Sequence, residues 1–304
     1  MKLYPRAILI GGATATGKTK LAFEISKLFP SIIINADSMQ VYKDLRILTN
    51  RPSKEDEKIY NCKLFGSVSY PDALNVALWI KEVKKILSKE KKKIPIFVGG
   101  TGLYLENLIE EISPIPPVDQ KTKNKIRKIH EKYGNKYLYN RLKNKDDVFC
   151  KKININDTQR LLRAMEVFLS TGKTITDWQK IKKGGLFKKY IYIVLKLDRN
   201  DLYEKINKRC KEMVDLGVVK EVTSFFDKNK VIKDHPINKA IGLRLFKDFV
   251  DKKTDLEQTL DEFSKETRRY AKRQLTWFKN RSKLSINLNY KQAKNYIKKK
   301  INNF

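Results

Sequence analysis

The stretch Ala7-Ile8-Leu9-Ile10-Gly11-Gly12-Ala13-Thr14-Ala15-Thr16-Gly17-Lys18-Thr19 decides the fold class of this 304-residue chain. Its first four residues form an apolar run that is typical of a buried strand. Residues 12–19 fit the pattern G-x-x-x-x-G-K-[ST], the P-loop, whose backbone N–H groups cradle phosphate oxygens. Residues 18–29 have helical spacing, and Pro30 ends that helix. This order predicts a phosphate site at the edge of an α/β sheet.

The P-loop also predicts how a di- or triphosphate is held. Lys18 supplies a positive charge, and the hydroxyl of Thr19 is the predicted ligand of a Mg²⁺ ion. Read alone, such a loop suggests ATP. The predicted diphosphate contacts are Gly12, Ala13, Thr14, Ala15, Thr16, Gly17, Lys18 and Thr19.

The rest of the first hundred residues alternates between strand and helix patterns. Apolar runs at 31–35 and 94–98 predict two more buried strands, and residues 73–90 have helical spacing. The alternation predicts an α/β fold with a parallel sheet and helices on both faces. Asp37 follows one of these strands and Thr101 the other. Because the carboxyl ends of parallel strands meet at one edge, both residues are predicted to lie near the P-loop.

The pattern changes at a proline-rich linker, residues 113–117. Residues 119–185 have the pattern of helices without strands, and a strand returns at 190–197. Everything after Asp198 is predicted to be helical, ending in a tail at 291–304 that frays. We therefore expect a P-loop core of residues 1–115 and 188–304, interrupted by a small all-helical domain at 116–187.

The net charge of +32 is unevenly distributed along the chain. Residues 119–189 carry 20 basic and 7 acidic side chains, and residues 266–304 carry 12 and 1. A composition bias that enriches lysine is the alternative explanation, but it would spread the charge more evenly. The distribution favours a polyanionic partner, RNA or DNA.

The composition argues against several other classes of protein. No apolar run reaches the roughly 18 residues that a membrane span needs, and no room for a signal peptide precedes the first strand. Three scattered cysteines favour a reducing cytoplasm over a disulfide framework. Two histidines are too few for a histidine-rich metal site.

Asp37 is the acidic residue expected to act in the site. P-loop hydrolases usually place an acid after a neighbouring strand to organise Mg²⁺, but the strand at 94–98 ends in glycines and Thr101. A carboxylate at position 37 can instead accept a proton from an attacking nucleophile. The alternative is that Asp37 caps a following helix, and the two roles are compatible.

A series of segments in this order, spanning residues 7–281, resembles the tRNA dimethylallyltransferase family. Besides the P-loop, they are NADSMQVY (35–42), VGGTGLY (98–104), NDTQRLLRAMEV (156–167), the spacing Arg209, Met213 and Gly217, KAIG (239–242) and TRRYAKRQLTWF (267–278). A P-loop alone is common to many families, whereas the ordered set is specific.

The resemblance implies transfer of a dimethylallyl group from dimethylallyl diphosphate to N6 of adenosine 37, beside the tRNA anticodon. It implies that Arg209 joins the P-loop and Mg²⁺ in stabilising the leaving pyrophosphate. Asp37 would accept the proton of the attacking amine, and Thr101 would orient that amine. These two are the implied catalytic residues.

The resemblance further implies contacts with the anticodon stem-loop of tRNA. The basic helices involved have an alternative interpretation as solvated faces, and Trp79, Trp178 and Trp277 are expected to pack in cores rather than on bases. The implied tRNA contacts are Asp37, Ser38, Met39, Gln40, Thr101, Lys123, Gln159, Arg160, Leu161, Leu162, Arg163, Lys239, Arg244, Lys272 and Arg273.

Three other functions remain open at this stage. One is prenyl transfer to a free adenine nucleotide, although the basic insertion and tail favour a larger acceptor. The others are a P-loop small-molecule kinase and a non-catalytic RNA-binding NTPase. The chain is expected to be a monomer.

Overall fold

The computed structural model describes residues 3–111, 113–181 and 183–301. The chain forms two compact units. We call residues 1–109 and 185–304 the sheet unit, and residues 110–184 the helical unit.

The described residues contain eight strands, six of which form one sheet. That sheet has the order β3-β2-β4-β1-β7-β8, and every neighbouring pair is parallel. The strands are β1 (Tyr4–Gly12), β2 (Ser31–Asn35), β3 (Cys62–Lys63), β4 (Ile94–Val98), β5 (Glu110–Glu111), β6 (Lys183–Gly184), β7 (Phe187–Leu195) and β8 (Ile286–Leu288).

The other regular elements among the described residues are helices. A short 3₁₀ turn covers Pro236–Lys239. The α-helices are α1 (Lys18–Ser26), α2 (Lys54–Ile59), α3 (Val76–Lys89), α4 (Gly102–Ile109), α5 (Gln120–Lys143), α6 (Asp147–Cys150), α7 (Thr158–Thr171), α8 (Ile175–Lys180), α9 (Arg199–Asp215), α10 (Val218–Lys228), α11 (Leu243–Val250), α12 (Leu256–Arg281) and α13 (Tyr290–Ile301).

Helices cover both faces of the sheet, which confirms the predicted α/β class. Ile8 and Ile10 point to the face that packs against α1 and α13. Ala7 and Leu9 point to the opposite face, which packs against α3, α4 and α12. This arrangement explains why the central strands are apolar at every position rather than at alternate ones.

The C-terminal region differs from its predicted structure. Residues 286–288 form β8, an edge strand of the six-stranded sheet, paired with Ile193 to Leu195 of β7. The tail that was predicted to fray is helix α13 over residues 290–301, and it buries Ala293 and Ile297 completely. These two residues are four apart and therefore lie on one face of the helix. The surrounding lysines made this narrow apolar face hard to recognise in the sequence. Residues 302–304 lie outside the described part of the chain.

A second core in the sheet unit is built by helices α9 to α12. Buried side chains from all four helices pack against Val41, Tyr42, Leu45 and Leu48, which follow β2. This packing brings α9 and α12 to the P-loop side of the unit.

The helical unit has its own core, formed by α5, α6, α7 and α8. Its first helix, α5, kinks at Gly134. The prediction of helices alone is wrong at the start and end of the unit, where β5 and β6 pair in antiparallel fashion.

Candidate active site

The P-loop leaves β1 and turns into α1 with a closely bonded backbone. Gly17 adopts a left-handed conformation (φ 88°) immediately before the helix, which favours glycine there. The hydroxyl of Thr16 donates a hydrogen bond to the carbonyl of Ala13 (2.8 Å). These contacts shape the loop so that the N-terminus of α1 faces a cavity, which is where an anion binds most favourably.

Lys18 is bonded to the loop itself. Its ammonium donates a hydrogen bond to the carbonyl of Ala13 (2.6 Å). The pKa of Lys18 is lowered to about 8, chiefly by burial; the charge of Asp37 acts to raise it and that of Arg209 to lower it. An anionic ligand would offset the cost of holding this charge in the site.

Arg209 reaches the P-loop from α9. Its Nη2 donates to the hydroxyl of Thr14 (2.8 Å), whereas its buried Nε has no hydrogen-bond partner. Burial also lowers the pKa of Arg209. A buried donor without a partner costs free energy, so this guanidinium is suited to receive oxygens of an anionic ligand.

Asp37 and Thr101 lie side by side at the ends of β2 and β4. The hydroxyl of Thr101 accepts a hydrogen bond from the backbone of Ser38 (2.9 Å) and donates one to its hydroxyl (3.2 Å). Asp37 Oδ1 accepts from the backbone of Met39 (2.9 Å). The alternative role of Asp37 as a helix cap is wrong, because turns and bends follow it and the next helix begins at Lys54.

The P-loop, Arg209 and Asp37 line one cavity of about 430 Å³ in the sheet unit. The lining from the P-loop and α9 is Thr14, Ala15, Gly17, Lys18, Thr19 and Arg209. The apolar part of the lining includes Met39, Leu48, Met213, Ala240, Ile241 and Phe263. Asp37 lines the same cavity, so it combines an anion site, an apolar pocket and a carboxylate.

Of the other predicted P-loop contacts, Gly12, Ala13 and Thr16 are buried in the loop's framework and do not line the cavity. Of the predicted tRNA contacts, Gln40 and Lys239 also line the cavity, whereas Ser38 and Thr101 do not.

Several residues of the site carried no sequence prediction. Tyr270 lines the cavity, and burial, followed by the charge of Asp37, raises its pKa. Leu48 belongs to a loop held by Glu221, whose carboxylate accepts hydrogen bonds from the backbone of Ile47 (2.8 Å) and Leu48 (2.9 Å). The only sequence feature that pointed to Tyr270 is its place in the segment 267–278, which resembles the family. No sequence feature pointed to the loop that contains Leu48.

The predicted tRNA contacts of the sheet unit gather partly around a second cavity. Lys239, Arg244 and Arg273 line it together with Arg269, Asp248 and Glu266. Lys272 is exposed on α12 but is not part of that lining.

The predicted contacts of the helical unit lie mainly on α7. Gln159 and Arg160 are exposed, and Arg163 and Leu162 are partly buried. Leu161 is fully buried in the core of the unit, so its side chain has no surface to offer RNA and that prediction is corrected. Lys123 is partly buried on α5.

The tryptophans pack as expected. Trp79 is fully buried and donates a hydrogen bond to the carbonyl of Asn35 (2.9 Å), while Trp277 packs against the sheet core. Trp178 packs in the core of the helical unit.

Within residues 3–111, 113–181 and 183–301, no group of three or more His, Cys, Asp or Glu side chains could hold a metal ion. Thr19 lines the cavity beside Lys18, which fits an ion held mainly by diphosphate oxygens and water, as is usual for Mg²⁺. Among the same residues, no helix combines the length and apolar character required to cross a bilayer.

The fold and the site define a P-loop α/β protein whose phosphate site opens into an apolar pocket. The model of the IPP transferase family matches residues 40–281, and that of isopentenyl transferase matches residues 5–63. The chain therefore belongs to the IPP transferase family.

Individual relatives agree with this assignment. The chain is 39% identical to a tRNA dimethylallyltransferase of Pelagibacter ubique, over 98% of this chain and 96% of the relative. It is 41% identical to one of Bartonella tribocorum, over 89% and 94%. Among solved structures, a eukaryotic dimethylallyltransferase acting on tRNA superposes with a TM-score of 0.80 at 26% identity, covering 90% of this chain and 70% of the other. The tRNA isopentenylpyrophosphate transferase of Bacillus halodurans gives 0.67 at 27% identity, covering 98% and 97%.

Proposed function

We propose that this chain transfers a dimethylallyl group from dimethylallyl diphosphate to N6 of adenosine 37, next to the tRNA anticodon, and releases pyrophosphate. The observation that carries the proposal is the single cavity that joins the P-loop to an apolar pocket with Asp37 beside them. The relatives' names support the same reaction. We further propose that the enzyme acts as a monomer in the cytoplasm.

The diphosphate would occupy the part of the cavity lined by the P-loop and Arg209. Loop N–H groups, Lys18 and the unpartnered Nε of Arg209 would take its oxygens. These donors are already in place, so they stabilise the negative charge that grows on the leaving group without reorganising. Mg²⁺ at Thr19 would supply further charge neutralisation.

The five-carbon chain would lie against the apolar part of the lining, at Met213, Ile241 and Phe263. Contact with these side chains would keep water away from an allylic carbon that carries positive charge in the transition state. The carbon–oxygen bond to the diphosphate breaks as the bond from N6 to that carbon forms.

Asp37 is proposed to take the proton that N6 loses. Its Oδ1 is already bonded to the backbone of Met39, which fixes the carboxylate and leaves Oδ2 to act as the base. Thr101, fixed by its bonds to Ser38, is proposed to hold the amine in line with the allylic carbon.

An adenosine in an RNA loop must leave its stack to reach this cavity. We propose that Ser38, Met39 and Gln40 contact it there, and that Lys239, Arg244, Lys272 and Arg273 hold RNA phosphates. In the helical unit we propose the same for Lys123, Gln159, Arg160 and Arg163, with Leu162 at the edge of that surface. Binding through such contacts weakens steeply as salt is raised.

The test is incubation with radiolabelled dimethylallyl diphosphate, Mg²⁺ and unmodified tRNA. We expect label in RNA with the wild type, and a loss of about 10²–10⁴-fold in turnover with Asp37→Asn at unchanged diphosphate binding. Asp72→Asn, on an exposed loop residue, is the matched control.

A second acceptor, AMP, and a second donor, ATP, distinguish the alternative functions. Label in AMP but not in tRNA would replace the proposal with prenyl transfer to a free nucleotide. Phosphoryl transfer from ATP, without use of the allylic donor, would replace it with a kinase. If a folded wild type labels none of these, the proposed reaction is wrong.

A further inference from the structure

A buried glutamine on α12 connects two loops of the candidate site. Gln274 is 5% exposed. Its Oε1 accepts a hydrogen bond from the backbone N–H of Thr14 (2.8 Å), and its Nε2 donates one to the carbonyl of Gly100 (3.0 Å). One amide group therefore joins the P-loop to the loop that carries Thr101.

The two partners fix the orientation of this amide. A backbone N–H can only donate and a carbonyl can only accept, so the side chain must present one acceptor and one donor. A methionine in its place would leave both buried backbone groups without a partner. An ionised carboxylate would satisfy the Thr14 N–H but would oppose the carbonyl of Gly100.

The loop at Gly100 packs closely against α12. A Cβ atom on Gly100 would lie 2.0 Å from Nε2 of Gln274 and 3.2 Å from Oδ2 of Asp37. A Cβ atom on Gly102 would lie 1.9 Å from the ring of Trp277, the next turn of the same helix. The absence of side chains at these two glycines lets α12 approach the loop closely, beside the carboxylate of Asp37.

Thr14 is also the residue to which Arg209 donates. Arg209 of α9 thus holds the side chain of Thr14, and Gln274 of α12 holds the backbone of the same residue. On the other side of Gln274, Thr101 follows Gly100 directly and is bonded to Ser38. Gln274 is the link between the diphosphate side and the acceptor side of the cavity.

We propose that Gln274 is a positioning residue that sets the distance between the diphosphate on the P-loop and the amine held by Asp37 and Thr101. This role rests on the function proposed above. Substitution at carbon needs the reacting atoms about 3–3.5 Å apart, so a small shift of one loop relative to the other lowers the rate steeply. Each loop would still bind its own substrate.

The experiment compares Gln274→Met and Gln274→Glu with the wild type. Gln258→Met, an exposed glutamine in the first turn of the same helix, is the matched control. With Gln274→Met we expect kcat to fall about 10²-fold, while the dissociation constant for a non-reacting allylic diphosphate analogue changes less than about threefold. The control should match the wild type in both measurements.

The carboxylate variant adds a readout that a purely structural role would not move. When protonated, the introduced carboxyl group presents one acceptor and one donor, as the amide does. The activity of Gln274→Glu relative to the wild type should therefore rise as the pH is lowered from about 8 to about 5.5. The same ratio for Gln274→Met should stay constant.

Each outcome decides the question. Transfer by the wild type with unchanged kcat in Gln274→Met, or a ratio for Gln274→Glu that does not change with pH, overturns the role of Gln274 alone. Loss of analogue binding in both variants also overturns it, since the amide would then only build the P-loop. If Gln274→Met does not fold, the pH dependence of Gln274→Glu decides. Absence of transfer by the wild type overturns the proposed function, and this role with it.

Discussion

The environment of Lys18 predicts that diphosphate binding weakens at a pH where an ordinary lysine is still charged. Burial lowers the pKa of Lys18 to about 8, against about 10.4 for a free side chain. Diphosphate oxygens beside the ammonium would raise that pKa again, so binding takes up a proton above pH 8. By linkage, affinity is full well below pH 8 and falls as the pH rises through it.

The magnitude follows from the titration of the free protein. A group with a pKa of about 8 is about three-quarters protonated at pH 7.5 and about 3% protonated at pH 9.5. If the diphosphate binds only the charged form, affinity should fall about 25-fold over this interval, or about 1.9 kcal/mol. An unburied lysine would lose little charge over the same range.

Isothermal titration calorimetry with a non-reacting diphosphate monoester analogue measures this effect, because the analogue is fully ionised across the interval. Repeating the titration in buffers of different ionisation enthalpy counts the proton taken up. Lys18→Arg is the control, since a guanidinium stays charged and its affinity should not change with pH. Equal wild-type affinity at both pH values, or the same slope in Lys18→Arg, would refute the reasoning.

Three further predictions concern other parts of the sheet unit. Arg209→Met should weaken binding of the diphosphate analogue about 10–100-fold, because it removes charged hydrogen bonds. Calorimetry measures this, with exposed Lys211→Met as the control. Equal binding by the two variants would contradict the prediction. Phe263→Ala should lower the free energy of unfolding by about 3–5 kcal/mol through the cavity it leaves beside Phe246, whereas exposed Leu216→Ala should change it by less than about 0.5 kcal/mol in the same urea titration. Ile297→Ala should cost about 2–5 kcal/mol because that side chain is buried under the sheet. Stability equal to that of exposed Lys298→Ala would mean that α13 frays after all.

The sequence predicted the parallel sheet and the edge at which the site lies. Apolar runs of four to five residues and the P-loop pattern sufficed, because buried parallel strands are apolar at every position. Asp37 and Thr101 were predicted beside the P-loop for the same topological reason, and the structure brings them into one region. Strand β8 was missed because three residues at the sheet's edge have no alternation of their own to detect.

What the sequence by itself determined is local: a loop able to hold phosphate, a carboxylate after the next strand and an excess of basic charge in the insertion and tail. The tertiary structure alone decided which distant groups complete the site. Gln274 stands in the middle of a basic helix, yet its partners Thr14 and Gly100 lie 260 and 174 residues away along the chain. A buried amide needs both a donor and an acceptor, and only the folding of α12 across the sheet edge brings those two backbone groups to it.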